Sequence, residues 1–156
     1  MSGFRVRPIS SEISTAVRDT LRAPAYGHPV HRERALGTGP CRECLSTFAV
    51  GQEERLLFTH NAFADTEHLP QPGPVFIHAE RCSPFADVGF PSGLAGVPVF
   101  ADVHLRDGTR LPAQPLHAGS ESAELEALLT RADVQHLHLR HSEAGCFIAR
   151  VERVDG

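Results

Sequence analysis

Apolar side chains recur at every second position of residues 99–105, and this alternation is the feature that most constrains the fold. It is typical of a half-buried strand, and the Asp107-Gly108 pair that follows is a strong hairpin signal. A two-residue turn would set Leu111 opposite His104, on the wrong face. A three-residue loop that ends in a left-handed Gly108 would set Leu111 opposite Val103 instead. Because only this second register keeps the apolar face continuous, we predict a bulged hairpin.

The other periodic segments predict two helices and several further strands. Ser10 is placed to cap a helix that ends near Arg22, and Ser120 is placed to start a second helix. Further segments have strand character: 4–9, 56–60, 75–79, 134–141 and 146–151. Most connections are too short for parallel crossovers. We therefore predict an α+β fold in a single domain, residues 1–156, with a largely antiparallel sheet and about two helices packed on one face.

Two features of this layout suit contact with another molecule. Residues 24–40 are rich in glycine, proline and charge, and they predict a long loop, which is either a binding segment or a mobile connection. Pro112 and Pro115 cannot donate ladder hydrogen bonds, so the strand around Leu111 is predicted to lie at a sheet edge. These features support an interaction module that binds a partner or forms a homodimer.

Composition excludes several classes of function. All fifteen cationic side chains are arginine. The absence of lysine excludes a pyridoxal phosphate anchor, a Schiff-base mechanism and a P-loop lysine. A net charge of −4, no tryptophan and one tyrosine argue against nucleic-acid binding. Residues 1–8 lack the apolar core of a signal peptide, and no stretch is long enough to span a membrane, so we predict a cytoplasmic protein without a membrane partner.

The four cysteines are predicted to be reduced in that compartment. Cys41 and Cys44 form a Cys-x-x-Cys pair, which occurs in redox dithiols and in zinc sites. Neither context is complete, because no strand precedes the pair and Cys82 and Cys146 do not form a second pair. Buried, inert thiols are the simpler interpretation.

Histidines provide the other candidate site. His136 and His138 lie on one face of a predicted strand, about 7 Å apart, a spacing that suits chelation of one metal ion. A solvated polar face explains the same pattern. His78 and Glu80 share a face of another strand and could act as ligands or as an acid–base pair.

Several segments carry a family resemblance: Phe4-Arg-Val-Arg-Pro8, Cys41-Arg-Glu-Cys-Leu45, Gly73-Pro-Val-Phe-Ile-His-Ala79, His136-Leu-His138 and Gly145-Cys-Phe-Ile-Ala-Arg-Val151. In this order they resemble the bacterial domain-of-unknown-function family 1203. The resemblance spans nearly the whole chain. It implies a compact single domain and no particular activity.

Three functional hypotheses follow. The first is a small-molecule or metal-binding domain, with a divalent metal such as zinc as the cofactor. Its site would gather the candidate residues Cys41, Arg42, His78, Glu80, His136 and His138, and whether it is an enzyme stays open. The second is the non-catalytic interaction module. The third is a thiol redox protein that uses Cys41 and Cys44. The register of the last hairpin, which decides whether Cys146 faces His138, also stays open.

Overall fold

The computed structural model describes residues 3–61, 73–143 and 145–154. These residues form eight strands and two α-helices: β1 Phe4–Arg7, α1 Ser11–Thr20, β2 His31–Arg34, β3 Glu54–His60, β4 Gly73–His78, β5 Val99–Leu105, β6 Arg110–Pro115, α2 Glu121–Leu129, β7 Val134–His141 and β8 Phe147–Arg153. The chain divides into two compact units. One combines the chain up to Arg7 with the chain from Phe85 onward, and the other is Pro8–Pro84.

The first unit is built on a five-stranded antiparallel sheet in the order β1-β8-β7-β5-β6. Val6, Val151, Leu137 and Val103 are successive cross-strand neighbours, and all four are buried. Alternate positions of a strand face opposite sides, so this row marks the apolar face of the sheet. Helix α2 buries Leu125 and Leu129 and contacts β7 and β1.

The β5–β6 hairpin has the predicted register. Val103 pairs with Leu111, and the Leu105 N–H donates to Thr109 O at 2.8 Å, which leaves a loop of residues 106–108. Gly108 has a φ of +91°, the left-handed conformation that glycine adopts without strain. The bulged hairpin is therefore confirmed, and β6 lies at the predicted edge of the sheet.

The second unit contains α1 and a three-stranded antiparallel sheet in the order β2-β3-β4. The Ser10 hydroxyl accepts a hydrogen bond from the Ile13 N–H at 3.3 Å, so Ser10 caps α1 as predicted. Leu56 and Ile77 form a buried cross-strand pair between β3 and β4. β2 lies inside residues 24–40, so the prediction of one continuous loop there was wrong.

The predicted α+β class with antiparallel pairing is confirmed, with the strands divided between two sheets. The prediction that the chain is a single domain stays a prediction. Among the described residues, no helix has the length and apolar character that crossing a membrane requires.

Candidate functional site

Backbone hydrogen bonds hold the Cys41–Cys44 loop in place. The Leu45 N–H donates to Cys41 O at 3.0 Å and closes a tight turn around the two thiols. The Arg42 N–H donates to Phe76 O at 2.9 Å, which fixes the loop against β4, and Arg42 O accepts from the Ile9 N–H at 3.3 Å. Cys41 is fully buried, whereas the Cys44 side chain is partly exposed. The loop thus presents both thiols at one end of β4.

His78 and Cys82 supply a second pair of donor atoms. His78 is the last residue of β4, and Cys82 follows four residues later. The donor atoms of Cys41, Cys44, His78 and Cys82 all lie within 4.8 Å of one another. Four side chains from two separate segments therefore converge on one point.

Distances within this Cys₃His cluster fit a tetrahedral zinc site. Zn–S bonds of about 2.3 Å and Zn–N bonds of about 2.0 Å give tetrahedral edges of roughly 3.8 Å between two sulfurs and roughly 3.5 Å between sulfur and nitrogen. The Sγ atoms of Cys41 and Cys82 are 3.8 Å apart, and Cys44 Sγ lies 3.6 Å from His78 Nδ1. A disulfide would need a separation of about 2.05 Å, and all four cysteines are free.

The imidazole of His78 is oriented from its other side. Its Nε2 lies 3.1 Å from Oε2 of Glu53, while Oε1 of Glu53 accepts a hydrogen bond from the Ala49 N–H at 2.8 Å. A carboxylate on the distal nitrogen fixes the ring and its tautomer, and this is the usual outer partner of a metal-bound histidine. The backbone N–H of His78 donates to Cys41 Sγ at 3.4 Å, which adds a direct link between the two segments.

A buried ion pair supports Cys82. Nη1 of Arg18, a residue of α1, lies 2.7 Å from Oε1 of Glu43, and both side chains are largely buried. The Glu43 carboxylate also accepts hydrogen bonds from Cys82 Sγ at 3.4 Å and from the Ser14 hydroxyl at 2.5 Å. Arg18 donates to Cys82 Sγ at 3.5 Å and to His78 O at 3.1 Å. Helix α1 is therefore connected to the cluster through polar contacts.

The cluster favours one thiolate beside an imidazolium. Hydrogen bonds from Cys44, and then from Cys82, hold the pKa of Cys41 far below its usual range. Hydrogen bonding to Cys41 and Cys44 raises the pKa of Cys82, so these thiols do not ionise together. Hydrogen bonds to Cys41 and then Cys44 raise the pKa of His78 to about 10. Metal ligation needs thiolates and a neutral imidazole, so binding would release protons here.

Arg42 and Glu80, the other candidates near this loop, lie outside the set of donor atoms. The Arg42 side chain is buried, and its Nη1 donates to Pro40 O at 2.5 Å. The Glu80 side chain is exposed. Neither residue supplies a donor to the Cys₃His cluster.

His136 and His138 lie in the first unit, where they cluster with His104. The ring nitrogens of the three histidines all lie within 4.8 Å of one another. The rings of His104 and His136 are stacked with centroids 4.6 Å apart, and His138 lies 4.5 Å from His104 and 5.0 Å from His136. Burial, followed by the charges of His104 and His136, lowers the pKa of His138 to about 2. The structure therefore divides the sequence-based site: Cys41 and His78 belong to the Cys₃His cluster, His136 and His138 belong to the histidine cluster, and the two remaining candidates belong to neither.

Cys146 lies beside the last hairpin on the opposite face from these rings. The His141 N–H donates to Cys146 O at 2.9 Å, which corresponds to the four-residue loop. Directly paired residues share a face, so Cys146 lies with His141 on the side of Leu137 and Leu139. Ala144 of this loop lies outside the described residues.

Sequence reasoning missed two members of the groups, Cys82 and His104, as partners, and it missed the outer partner Glu53. Cys82 was weighed as a further ligand for His136 and His138 but was not joined to the Cys41–Cys44 pair, although His78-x₃-Cys82 has the short spacing that zinc sites use for a second ligand pair. Glu53 carries no signal, because it is one of two adjacent glutamates and lies just before β3. His104 was assigned to the second face of its strand, and the register with β7 that places it opposite His136 could not be read from either segment.

Comparison with known proteins adds one finding. A family model described as "Protein of unknown function (DUF1203)" matches residues 38–153, which include all the members of both groups. No curated protein and no solved structure matches the chain.

Proposed function

Since the chain belongs to the DUF1203 family, whose description names no activity, we propose a function from geometry: Cys41, Cys44, His78 and Cys82 bind one zinc ion. The observation that carries this proposal is the convergence of three sulfurs and one imidazole nitrogen within 4.8 Å. Two donor contacts between the segments match the edges of a zinc-centred tetrahedron.

Zinc is the metal that this donor set favours. Thiolate ligands select zinc, copper(I) or iron–sulfur clusters, and a single site with three thiolates and an imidazole is a standard tetrahedral zinc set. Four protein ligands leave no position for a substrate, so the ion has a structural role. It would join the Cys41–Cys44 loop to the end of β4, which are far apart in the chain.

A thiol redox role for Cys41 and Cys44 is less well supported by the same geometry. Attack on a disulfide needs an accessible thiolate; Cys41 is 0% exposed, which leaves only the partly exposed Cys44 for that attack. Both thiols also contact His78 or Cys82, as a metal site requires and a dithiol does not. A cytoplasmic location, as the sequence predicts, would keep the thiols reduced and available for zinc. The edge strand β6 keeps the interaction module as a separate hypothesis.

The test is elemental analysis and metal spectroscopy on the untagged full chain. We expect stoichiometric metal bound through sulfur, seen as Zn–S scattering in X-ray absorption or as a thiolate-to-metal charge-transfer band after cobalt replaces zinc. Cys44→Ser should remove the sulfur-bound ion. Cys146→Ser is the matched control and should retain it, because Cys146 belongs to the other unit.

Two results would contradict the proposal. One is wild-type protein with no sulfur-bound metal after refolding in excess zinc or cobalt. The other is equal loss of sulfur-bound metal in Cys44→Ser and Cys146→Ser. Rapid reaction of native, zinc-loaded protein with a thiol reagent at Cys41 would favour the redox hypothesis instead.

A further inference from the structure

We propose that His104, His136 and His138 form a second metal site, which binds a divalent first-row transition metal through three imidazole nitrogens. This site lies in the first unit and shares no residue with the Cys₃His cluster. It is independent of the zinc proposal, and either could hold without the other.

Strand register brings the three imidazoles together. His104 on β5 is the direct cross-strand partner of His136 on β7, and His138 lies two residues further along the same face of β7. Direct partners in an antiparallel pair have Cβ atoms about 5 Å apart, and i, i+2 neighbours about 7 Å apart. Three positions arranged as a triangle on a hydrogen-bonded sheet can therefore direct one nitrogen each toward a common point.

The ring positions are close to those of a chelate. A tetrahedral site with metal–nitrogen bonds of about 2.0 Å has nitrogen–nitrogen edges of roughly 3.3 Å. The ring nitrogens of the three histidines lie within 4.8 Å of one another. The terminal torsion of histidine is broad, so modest ring rotations are enough to close the remaining distance.

Burial makes an ordinary surface role for these rings untenable. His104, His136 and His138 are 0%, 1% and 2% exposed, so the solvated polar face, which was the alternative to chelation in the sequence analysis, does not describe them. The neutral imidazole is the ligating form, and burial favours that form.

The donor set decides which class of metal is bound. Imidazole nitrogen suits zinc, copper, nickel and iron, whereas magnesium and calcium need oxygen ligands, which this triplet does not offer. Three protein ligands leave a fourth position for a small exogenous ligand, as in catalytic rather than structural zinc sites. The site therefore differs from the Cys₃His cluster in both ligands and coordination number.

Charged side chains flank the three histidines. Arg110 lies opposite His104, and Arg150 lies opposite His138, so both arginines share the face of the histidines. Arg150 is paired with Glu152 at 3.1 Å, and Arg140 is paired with Asp102 at 2.6 Å. The carboxylates of Glu152 and Asp102 therefore offset the charges of Arg150 and Arg140, so these paired arginines do not oppose the binding of a divalent cation.

Cobalt(II) is the probe that separates the two sites. The untagged full chain is refolded with excess cobalt, because buried ligands load most readily during folding, and unbound metal is removed by gel filtration. We expect two cobalt ions per chain: one with a thiolate charge-transfer band and one with ligand-field bands only. A wild-type spectrum that lacks the charge-transfer band but keeps the ligand-field bands would count against the zinc proposal and leave the second site standing.

The variants His136→Phe and His138→Phe keep an aromatic ring but remove the donor nitrogens. Each should bind one cobalt ion fewer than wild type and retain the full charge-transfer band, which also reports that the Pro8–Pro84 unit has folded. His117→Phe is the matched control, since His117 belongs to the same unit and its side chain is 75% exposed. This variant should bind as much cobalt as wild type.

The wild-type stoichiometry decides the question even if a variant fails to fold. Wild-type protein that retains only the thiolate-bound ion, with no nitrogen-only cobalt spectrum, would overturn the second site. So would folded His136→Phe and His138→Phe variants that retain both ions.

Discussion

Replacing Glu53 by glutamine tests whether the Cys₃His cluster is a metal site with an outer shell. Oε2 of Glu53 lies 3.1 Å from His78 Nε2, on the side of the ring that faces away from the thiols. Glutamine keeps the shape and an oxygen that can accept from the Ala49 N–H, but it removes the negative charge. The substitution therefore weakens the orientation and basicity of His78 without removing a ligand.

The expected magnitude follows from the exposure of this contact. Loss of an outer partner typically costs 10–100-fold in metal affinity, or about 1.4–2.7 kcal/mol. The Glu53 side chain is 44% exposed, so solvent screens part of its charge. We therefore expect the lower end of the range, roughly a tenfold increase in the zinc dissociation constant.

Glu54→Gln provides a closely matched control. Glu54 is the next residue, its side chain is 41% exposed, and its carboxylate is paired with Arg32 rather than with His78. Zinc dissociation constants for wild type and both variants would be measured by competition with a chromophoric chelator at pH 7. The melting temperature of each metal-free protein would report any purely structural effect.

Two outcomes would refute the reasoning. If Glu53→Gln and Glu54→Gln weaken zinc binding equally, the effect is one of net charge rather than of His78. If Glu53→Gln binds zinc as tightly as wild type, Glu53 does not position the ligand.

Two further predictions concern stability, both measured by urea denaturation of zinc-loaded protein. Ser14→Ala should lower the free energy of unfolding by about 1–3 kcal/mol, because the buried Glu43 carboxylate loses the hydrogen bond that the Ser14 hydroxyl donates to it. Ser11→Ala, at an exposed position of the same helix, is the control and should have little effect. Equal effects of the two substitutions would contradict this prediction. Burial, and then the charge of Arg42, lowers the pKa of His60 from 6.5 to about 4. The unfolded chain therefore binds more protons than the folded chain below pH 6.5. As the pH falls from 6.5 toward 4, this difference lowers the free energy of unfolding, by about 2 kcal/mol at pH 5. His60→Gln should lose less stability than wild type between pH 7 and pH 5, and an identical loss would refute this assignment.

The parts of the fold that could be predicted are those set by local chemistry. A cap at Ser10 and a left-handed Gly108 depend only on residues within a few positions, and both occur as predicted. β2 was missed because His31–Arg34 is a run of charged and polar side chains without an apolar face. It is a strand because β3 offers a pairing edge, which is a tertiary condition.

The candidate site was only partly accessible to the same reasoning, for a related physical reason. Cys41 and His78 were both identified as candidates, but the contact between them depends on the Arg42 N–H bonding to Phe76 O of β4. The pairing of His104 with His136 likewise depends on a strand register that spans more than thirty residues of sequence. Local patterns identify donors, whereas long-range pairing decides which donors meet.

The supports of the Cys₃His cluster also distinguish it from a small zinc finger. In a finger, binding of the metal is itself the folding reaction, because few other contacts hold the ligands. Here the Cys41–Cys44 loop is fixed by backbone hydrogen bonds to Ile9 and Phe76, and Cys82 is fixed through Glu43. The unit also buries apolar side chains of β3 and β4, which contribute stability that does not depend on metal. Removal of zinc should therefore lower the stability of this unit without converting it to an unfolded chain.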